Sequence, residues 1–311
     1  MEERIDFENF LYGDGMEIII NDIGFVVDRI IMLPKIRPHK IEQAVSLSIE
    51  YCRMEGFRQK ILEKSKEFPV LVYRLFKRGV FVLEEIIRFV TKCHSIMLCK
   101  YFRKEIECYP DLIKNLIGIS NDYKAIFEIE VFNDQIIEYG FCPSSIEYCL
   151  KYDVIDDLIK FQILKREAEW SQFEWSNKPG FLDLLSFSGY FGSIRCFKHL
   201  LLNGFEFNDY VVSMVVCSGS LDLLHLIEFD KHLNSDTVSN AVEFCHLPIL
   251  TFMLENGIDI NYKNKDFNSL LGLAAKNGHL SIVQFLVNQK VDLELEYRGV
   301  EFFIFFIHLF I

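Results

Sequence analysis

Along the first 139 residues, apolar side chains return every three or four positions with charges between them. From Ile41 to Lys66 the residues Ile41, Ala44, Val45, Ser48, Tyr51 and Cys52 share one face, which predicts an amphipathic helix. Phe68-Pro69 then restarts the chain. Proline suits a first helical turn, where its missing N–H would be unpaired anyway, and Gly79 follows Val70–Phe76 where a left-handed cap is useful. Further helices are predicted around Leu83–Lys92, Asp111–Ile117 and Asn121–Tyr139. Met16–Ile20 and Gly24–Leu33 are β-branched enough to pass for strands, while helix is favoured for most of this half.

From Gly180 the pattern becomes a recurrence. Segments 185–201, 213–224, 241–250 and 271–287 superimpose on a small-residue turn, and the turn positions Gly192, Gly219, Cys245 and Gly278 follow one another at steps of 27, 26 and 33 residues. Those steps suit helix-pair modules. In each unit a short first helix ends at a glycine that can take positive φ without a Cβ penalty, and a Ser or His opens a second helix with an apolar face. In the last unit that face is Leu280, Ile282, Val283, Leu286 and Val287. Small residues on the first helices, Ser188 with Gly189 and Ala274 with Ala275, allow close approach of neighbours. One unit cannot bury its apolar face alone, so the units must stack.

Asn264-Lys265-Asp266-Phe267-Asn268-Ser269-Leu270-Leu271-Gly272-Leu273-Ala274-Ala275-Lys276-Asn277-Gly278-His279-Leu280-Ser281-Ile282-Val283 resembles the ankyrin-repeat pattern T-P-L-H-x-A-A-x-x-G-H-x-x-I-V. It departs where Ser269 replaces the threonine, Leu270 the proline and Gly272 the histidine, which removes part of the hydrogen bonding at that corner. Asn203–Asn208 and Asn256–Asn261 are similar to the family's N-G-A-D-x-N approach to the hairpin. A further resemblance runs through Gly189–Gly204, preceded by Tyr152–Leu158, to an ankyrin-containing domain expanded in parasitic protists. In that domain a poorly matched helical N-terminal half precedes the repeats, and the likeness implies a binding scaffold with no catalytic residues. It makes Tyr152–Phe161 a degenerate first repeat.

Charge narrows the partner. The chain of 311 residues carries 33 basic and 45 acidic side chains, a formal net charge of −12, with 9 basic against 16 acidic from Ser171 onward. That excess gives no footprint for phosphate backbones or anionic lipid. The acidic start, Met-Glu-Glu-Arg, lacks a secretory or transit signal, so a cytoplasmic or nuclear location is expected. Nine cysteines without a C-x-x-C pair read as free buried thiols. The apolar run Phe302–Ile311 is about half of the ~20 residues a membrane span needs, and reads as the first helix of a repeat whose remainder is missing or as a truncated or mistranslated end.

Local catalytic motifs are missing. Tyr12-Gly13-Asp14-Gly15-Met16 is a turn and fits no phosphate loop, and H-E-x-x-H and G-x-S-x-G do not occur. His199, His225, His246 and His279 recur through the repeats, but they occupy different places in them and a linear stack disperses ligands, so structural roles are expected. Asp156-Asp157 reads as helix-start charge. Trp170, Phe173 and Trp175 read first as a plug at the end of the repeat core and second as a peptide anchor.

The expected fold is therefore all-α: a helical N-terminal region over 1–143, ankyrin-type helix-turn-helix repeats over 144–296, and an apolar C-terminal piece over 297–311. The expected function is a non-enzymatic protein-interaction scaffold with an unknown protein partner. No nucleic acid, membrane, metal, cofactor or small-molecule substrate is expected. Two other readings stay open, a regulatory or targeting subunit acting through its N-terminal helices and an enzyme with a catalytic N-terminal region. The partner surface is expected on the inner side of the first helices and at two hairpin tips, one with Phe207 and Tyr210 and the other with Tyr262, Lys263, Asn264 and Lys265.

Overall fold

The computed structural model describes residues 23–36, 41–65, 68–129, 134–161, 163, 167–169, 181–227, 235–263, 269–277 and 279–292. Residues 19–149 with 167–182 form one compact unit; the other comprises 150–166 and the residues from 183 on.

The first unit is helical almost throughout. Its elements are α1 (Ile23–Ile36), α2 (Ile41–Tyr51), α3 (Phe57–Lys64), α4 (Pro69–Lys77), α5 (Leu83–Cys93), α6 (Ile96–Tyr101), α7 (Arg103–Ile106), α8 (Pro110–Ile119), α9 (Asn121–Ile129) and α10 (Asp134–Tyr139). Gly24–Leu33 is thus helix, while Met16–Ile20 lies outside the described residues. The single helix expected over Ile41–Lys66 is two. Gly56 at φ 76° stands at the start of α3, after a turn in which Met54 N–H donates to Tyr51 O. Pro69 opens α4 and Gly79 follows it at φ 75°, as the sequence predicts. α1 packs on α2 and α3, α4 on α6, and α8 on α9. Tyr73 of α4 packs its ring 5.7 Å from Tyr101 and 5.6 Å from Phe102, and Phe76 lies 5.3 Å from Phe102. The buried Arg103 guanidinium donates through Nε to Glu107 (2.7 Å) and through Nη2 to the Phe127 carbonyl of α9 (3.1 Å).

Helix α11 (Ile146–Tyr152) runs across the division between the units. The stack continues with α12 (Ile155–Leu158), and a short strand pair, β1 (Glu167–Glu169) and β2 (Phe181–Asp183), precedes the clear repeats. Those are α13 (Leu184–Tyr190) with α14 (Ile194–Leu202), α15 (Asp209–Ser218) with α16 (Leu221–Leu224), α17 (Ser235–Glu243) with α18 (Leu247–Glu255), and α19 (Leu270–Lys276) with α20 (Leu280–Asn288). The first helices α13, α15, α17 and α19 pack in a row, each on the next, and each second helix packs back on its own first helix. Both expectations for the class, mainly helix and helix-turn-helix units in a stack, are met.

The turns explain the recurrence. Gly192 and Gly219 have φ 71° and 76°, and Cys245 takes φ 54° at the matching place without the freedom of glycine. Side chains cap three first helices: Asp183 Oδ1 accepts from Ser186 N (2.8 Å), Asn208 Oδ1 from Val211 N (2.9 Å) and Ser269 Oγ from Gly272 N (3.1 Å). Ser269 therefore keeps the capping bond at the corner where the ankyrin pattern has threonine. The missing side chain of Gly189 sets the spacing of α13 and α15, because a Cβ there would stand 3.0 Å from Val215 Cγ2.

Asp153 extends the series upstream. At φ 54° it makes the same left-handed turn between α11 and α12, and it caps a helix of the next unit. Its carboxylate accepts from Cys196 N (2.8 Å), Arg195 N (3.3 Å) and Arg195 Nε (3.2 Å), at the start of α14, while Ser193 Oγ donates to the Leu150 carbonyl. Loss of this cap in Asp153→Ala should cost about 1–2 kcal/mol of stability. Asp153→Asn, which keeps an acceptor and tolerates positive φ, should cost less than half of that. Urea unfolding followed by circular dichroism checks the order; equal losses would mean the carboxylate does not act as the cap.

Candidate interaction surface

Three first helices leave little free surface. All of Leu184–Tyr190 is buried, as are Val211–Ser218 of α15 and Leu270, Leu271, Leu273, Ala274 and Ala275 of α19. Phe187, Met214 and Leu273 stand five positions before Gly192, Gly219 and Gly278 and are buried, while the third unit has the half-buried Asn240 at that place before Cys245. Apolar side chains at these positions are out of contact with water, while Glu243 of α17 and Lys276 of α19 stay exposed.

Exposure is found at the hairpins. After α14, Gly204 turns at φ 82° and Phe205 N–H donates to Leu200 O (3.2 Å), returning the chain toward the next first helix. Phe207 is half-buried with its ring 6.2 Å from Phe197, so it serves packing as well as the tip. Asn208 is occupied in capping α15. Tyr210, in the first turn of that helix, is 52% exposed, yet partial burial still pushes its phenol above the ordinary pKa, helped by Cys217 and Asp183.

The second tip follows α18. Gly257 has φ 93°, Ile258 N–H donates to Met253 O (3.2 Å), and Asp259 holds the bend by accepting from Asn261 N at its Oδ1 (2.9 Å) and from Tyr262 N at its carbonyl (3.0 Å). Asn261 Oδ1 in turn accepts from Asp292 N (2.9 Å), tying this tail to the one that follows α20. Tyr262 is half-buried, Lys263 is exposed, and Lys263 bridges to Ser269 in antiparallel fashion. Asn264 and Lys265 lie outside the described residues, as do Trp170, Phe173, Trp175 and the run 297–311. Among the described residues no hydrogen bond, ion pair or ring contact joins the tip at Phe207 and Tyr210 to the one at Tyr262 and Lys263.

The histidines have separate environments. His246 and His279 open α18 and α20 and are buried, and their Nε2 atoms lie 2.8 Å from Cys217 O and 2.9 Å from Glu243 O of the preceding unit. A carbonyl only accepts, so Nε2 carries the hydrogen in each ring and is not available as a metal ligand. His225 is exposed and meets Phe252 edge-on at 5.2 Å, and His199 sits in α14 with Nε2 3.2 Å from Asn203 Nδ2. Asp156 and Asp157 fall in the first turn of α12, where the helix dipole favours them, and Asp157 pairs with Lys160 (2.6 Å). Among the described residues, no group of three or more His, Cys, Asp and Glu is placed to hold a metal ion, and no helix is long and apolar enough to cross a membrane.

Thiols divide in the same way. Burial pushes the Cys99 thiol up to about 12, which keeps it protonated at neutral pH. The half-exposed Cys142 moves down instead, through its contact with the Ser144 hydroxyl at 3.0 Å.

Comparison with known proteins bears on the stack. Residues 238–287, from α17 into α20, match the family model for ankyrin repeats (many copies). Among solved structures, the crystal structure of the human ASB11 ankyrin repeat domain is similar at 16% identity and a TM-score of 0.39, over 49% of this chain and 72% of that one. No curated protein matches the chain. Residues 238–287 are thus similar to ankyrin repeats.

Proposed function

We propose that the chain is a non-enzymatic protein-interaction scaffold whose partner docks on the hairpin tips of the repeats. Its ankyrin-like repeats favour a protein partner, since stacked helix pairs present extended side-chain surfaces and supply no reaction chemistry of their own. The observation that carries the choice of surface is Tyr210: a large aromatic side chain left 52% exposed at the head of a helix whose following residues, Val211–Ser218, are all buried. Aromatic residues of this kind dominate interface energetics, and Tyr262 with Lys263 offers a second such anchor on a hairpin of the same type. Phe207 adds apolar area beside Tyr210, and Asn264 and Lys265 extend the second tip as adaptable polar contacts. Asn208, occupied by its cap, has no part in the proposed contact. The finer kinship proposed here is with the ankyrin-containing domain of parasitic protists, on the strength of Gly189–Gly204, and the proposed division keeps 1–143 apart from repeats over 144–296 and the piece 297–311. A cytoplasmic or nuclear site of action goes with that reading.

The test needs the partner first, from affinity purification in the native cell followed by mass spectrometry, and then calorimetric titration of the purified pair. Tyr210→Ala together with Tyr262→Ala should weaken binding at least about tenfold, which corresponds to about 1.4 kcal/mol. Helicity and melting temperature should stay close to those of the parent chain. If affinity is unchanged, and deletion of the residues before Tyr139 abolishes binding instead, the repeats are a spacer and the chain is a targeting subunit that works through its N-terminal helices.

A further inference from the structure

One hydroxyl in the stack is buried without a hydrogen-bond partner, Ser239 Oγ of α17. Ser239 stands six positions before Cys245, and the matching residue of the preceding unit is Ser213, six before Gly219. Ser213 Oγ lies 3.2 Å from Oγ1 of Thr237, eight positions before Cys245, so two hydroxyls satisfy each other where α15 packs on α17. Where α17 packs on α19, the same register sets Leu270, eight positions before Gly278, opposite Ser239. A leucine offers neither donor nor acceptor. The two joints are otherwise alike, since His246 bonds to Cys217 O across the first (2.8 Å) and His279 to Glu243 O across the second (2.9 Å). A buried hydroxyl left unmatched therefore weakens the second joint relative to the first. Two further features of the same pair act in that direction. Asn240 is half-buried at the place where the other units bury Phe187, Met214 and Leu273, and Cys245 carries a Cβ at φ 54° where Gly192 and Gly219 carry none.

We infer that the joint between α17 and α19 is a hinge, at which the last pair, α19 with α20, opens as a unit while α13 and α15 stay closed. Two contacts must release: the bond from His279 to Glu243 O, and the one from Asp292 N to Asn261 Oδ1. The bridge of Lys263 to Ser269, the residue that caps α19, couples the tip at Tyr262 to the moving pair. The placement of that second anchor then depends on whether the joint is closed, a consequence that rests on the docking reading proposed above.

Native-state hydrogen exchange of the full chain tests the hinge without a partner. Ser239→Ala removes the unmatched hydroxyl and should slow exchange in Leu270–Lys276 and Leu280–Asn288 about fivefold, with Leu184–Tyr190 unchanged. Leu270→Thr supplies at this joint the group that Thr237 supplies at the one before. Its effect on exchange in the same two helices should be about fivefold more favourable with Ser239 present than in the Ser239→Ala background. Unchanged exchange in Ser239→Ala, equal slowing over all three helices, or the same Leu270→Thr effect in both backgrounds would overturn the hinge. Such a result would leave the docking reading to the Tyr210 and Tyr262 titration, which does not depend on it.

Discussion

Replacing Gly219 by alanine should destabilise the repeats by about 3 kcal/mol, from two additive causes. The residue has φ 76°, where a Cβ costs about 1–2 kcal/mol whatever surrounds it. Its Cβ would also stand 2.4 Å from Cε1 and 2.5 Å from Nδ1 of His246, a ring already buried and bonded to Cys217 O. The ring must leave, and the stranded carbonyl adds about 1–3 kcal/mol. Gly204→Ala separates the causes, since Gly204 has φ 82° with nothing within 4 Å of the added atom. It should lose only the backbone part. In a His246→Ala background, the cost of Gly219→Ala should fall to that of Gly204→Ala. Urea unfolding of the four variants measures this cycle; the same loss for Gly219→Ala with and without His246 would show that the ring and the turn are not coupled.

Two requirements on one glycine explain why the turn positions were legible in the sequence. A left-handed backbone and a neighbouring side chain both ask for the absence of Cβ at Gly219, so the glycine stands out in a plain reading of the chain. Asp153 makes the same kind of turn, but aspartate tolerates positive φ and α12 is only four residues long, so the unit it belongs to shows neither a glycine nor a full apolar face. Its capping of α14 spans 43 positions from Asp153 to Cys196, and nothing local in either segment announces it. The break between α2 and α3 was missed for a different reason. The three- and four-residue steps from Ile41 stop at Cys52, and Phe57, five positions further on, starts a new face with Ile61 and Leu62; the charged, helix-favouring stretch up to Lys66 masked the turn at Gly56. Phe187, Met214 and Leu273 stand five positions before Gly192, Gly219 and Gly278, but Asn240 holds that place before Cys245, so the register is broken in the third unit and gave no signal in the sequence.

What the buried first helices do to function follows from the same positions. A partner approaching α13, α15 or α19 would find Phe187, Met214 and Leu273 already withdrawn from water, so those residues have little further apolar area to bury on binding. Side chains that still have area to lose stand elsewhere. Tyr210 is one, and Leu202, 87% exposed at the end of α14, is another. Both flank the same hairpin, which is why the proposed docking tests begin at Tyr210 and not at the buried positions of a first helix.

His279→Ala is expected to have the second large effect, and it reports on the joint between the last two pairs. The ring is 1% exposed, and its Nε2–H reaches the carbonyl of Glu243 at the end of α17, so one side chain both fills space at the head of α20 and satisfies a backbone acceptor of the preceding unit. Truncation leaves that carbonyl without its donor, about 1–3 kcal/mol, and opens a void that a small side chain cannot refill. A total of about 2–4 kcal/mol is expected. His225→Ala is the matched control, because that imidazole is exposed and touches only one edge of Phe252 in the described contacts; about 0.5 kcal/mol is expected there. His279→Gln, with a donor of similar reach, should recover part of the loss. Because units of a stack depend on their neighbours, the damage should be regional: hydrogen exchange in His279→Ala should speed up across Leu280–Asn288 and Leu270–Lys276 more than across Leu184–Tyr190. Uniform acceleration over all three helices would mean that the stack opens as one cooperative block, and a loss no greater than that of His225→Ala would mean that the bond to Glu243 O does not hold the last two pairs together.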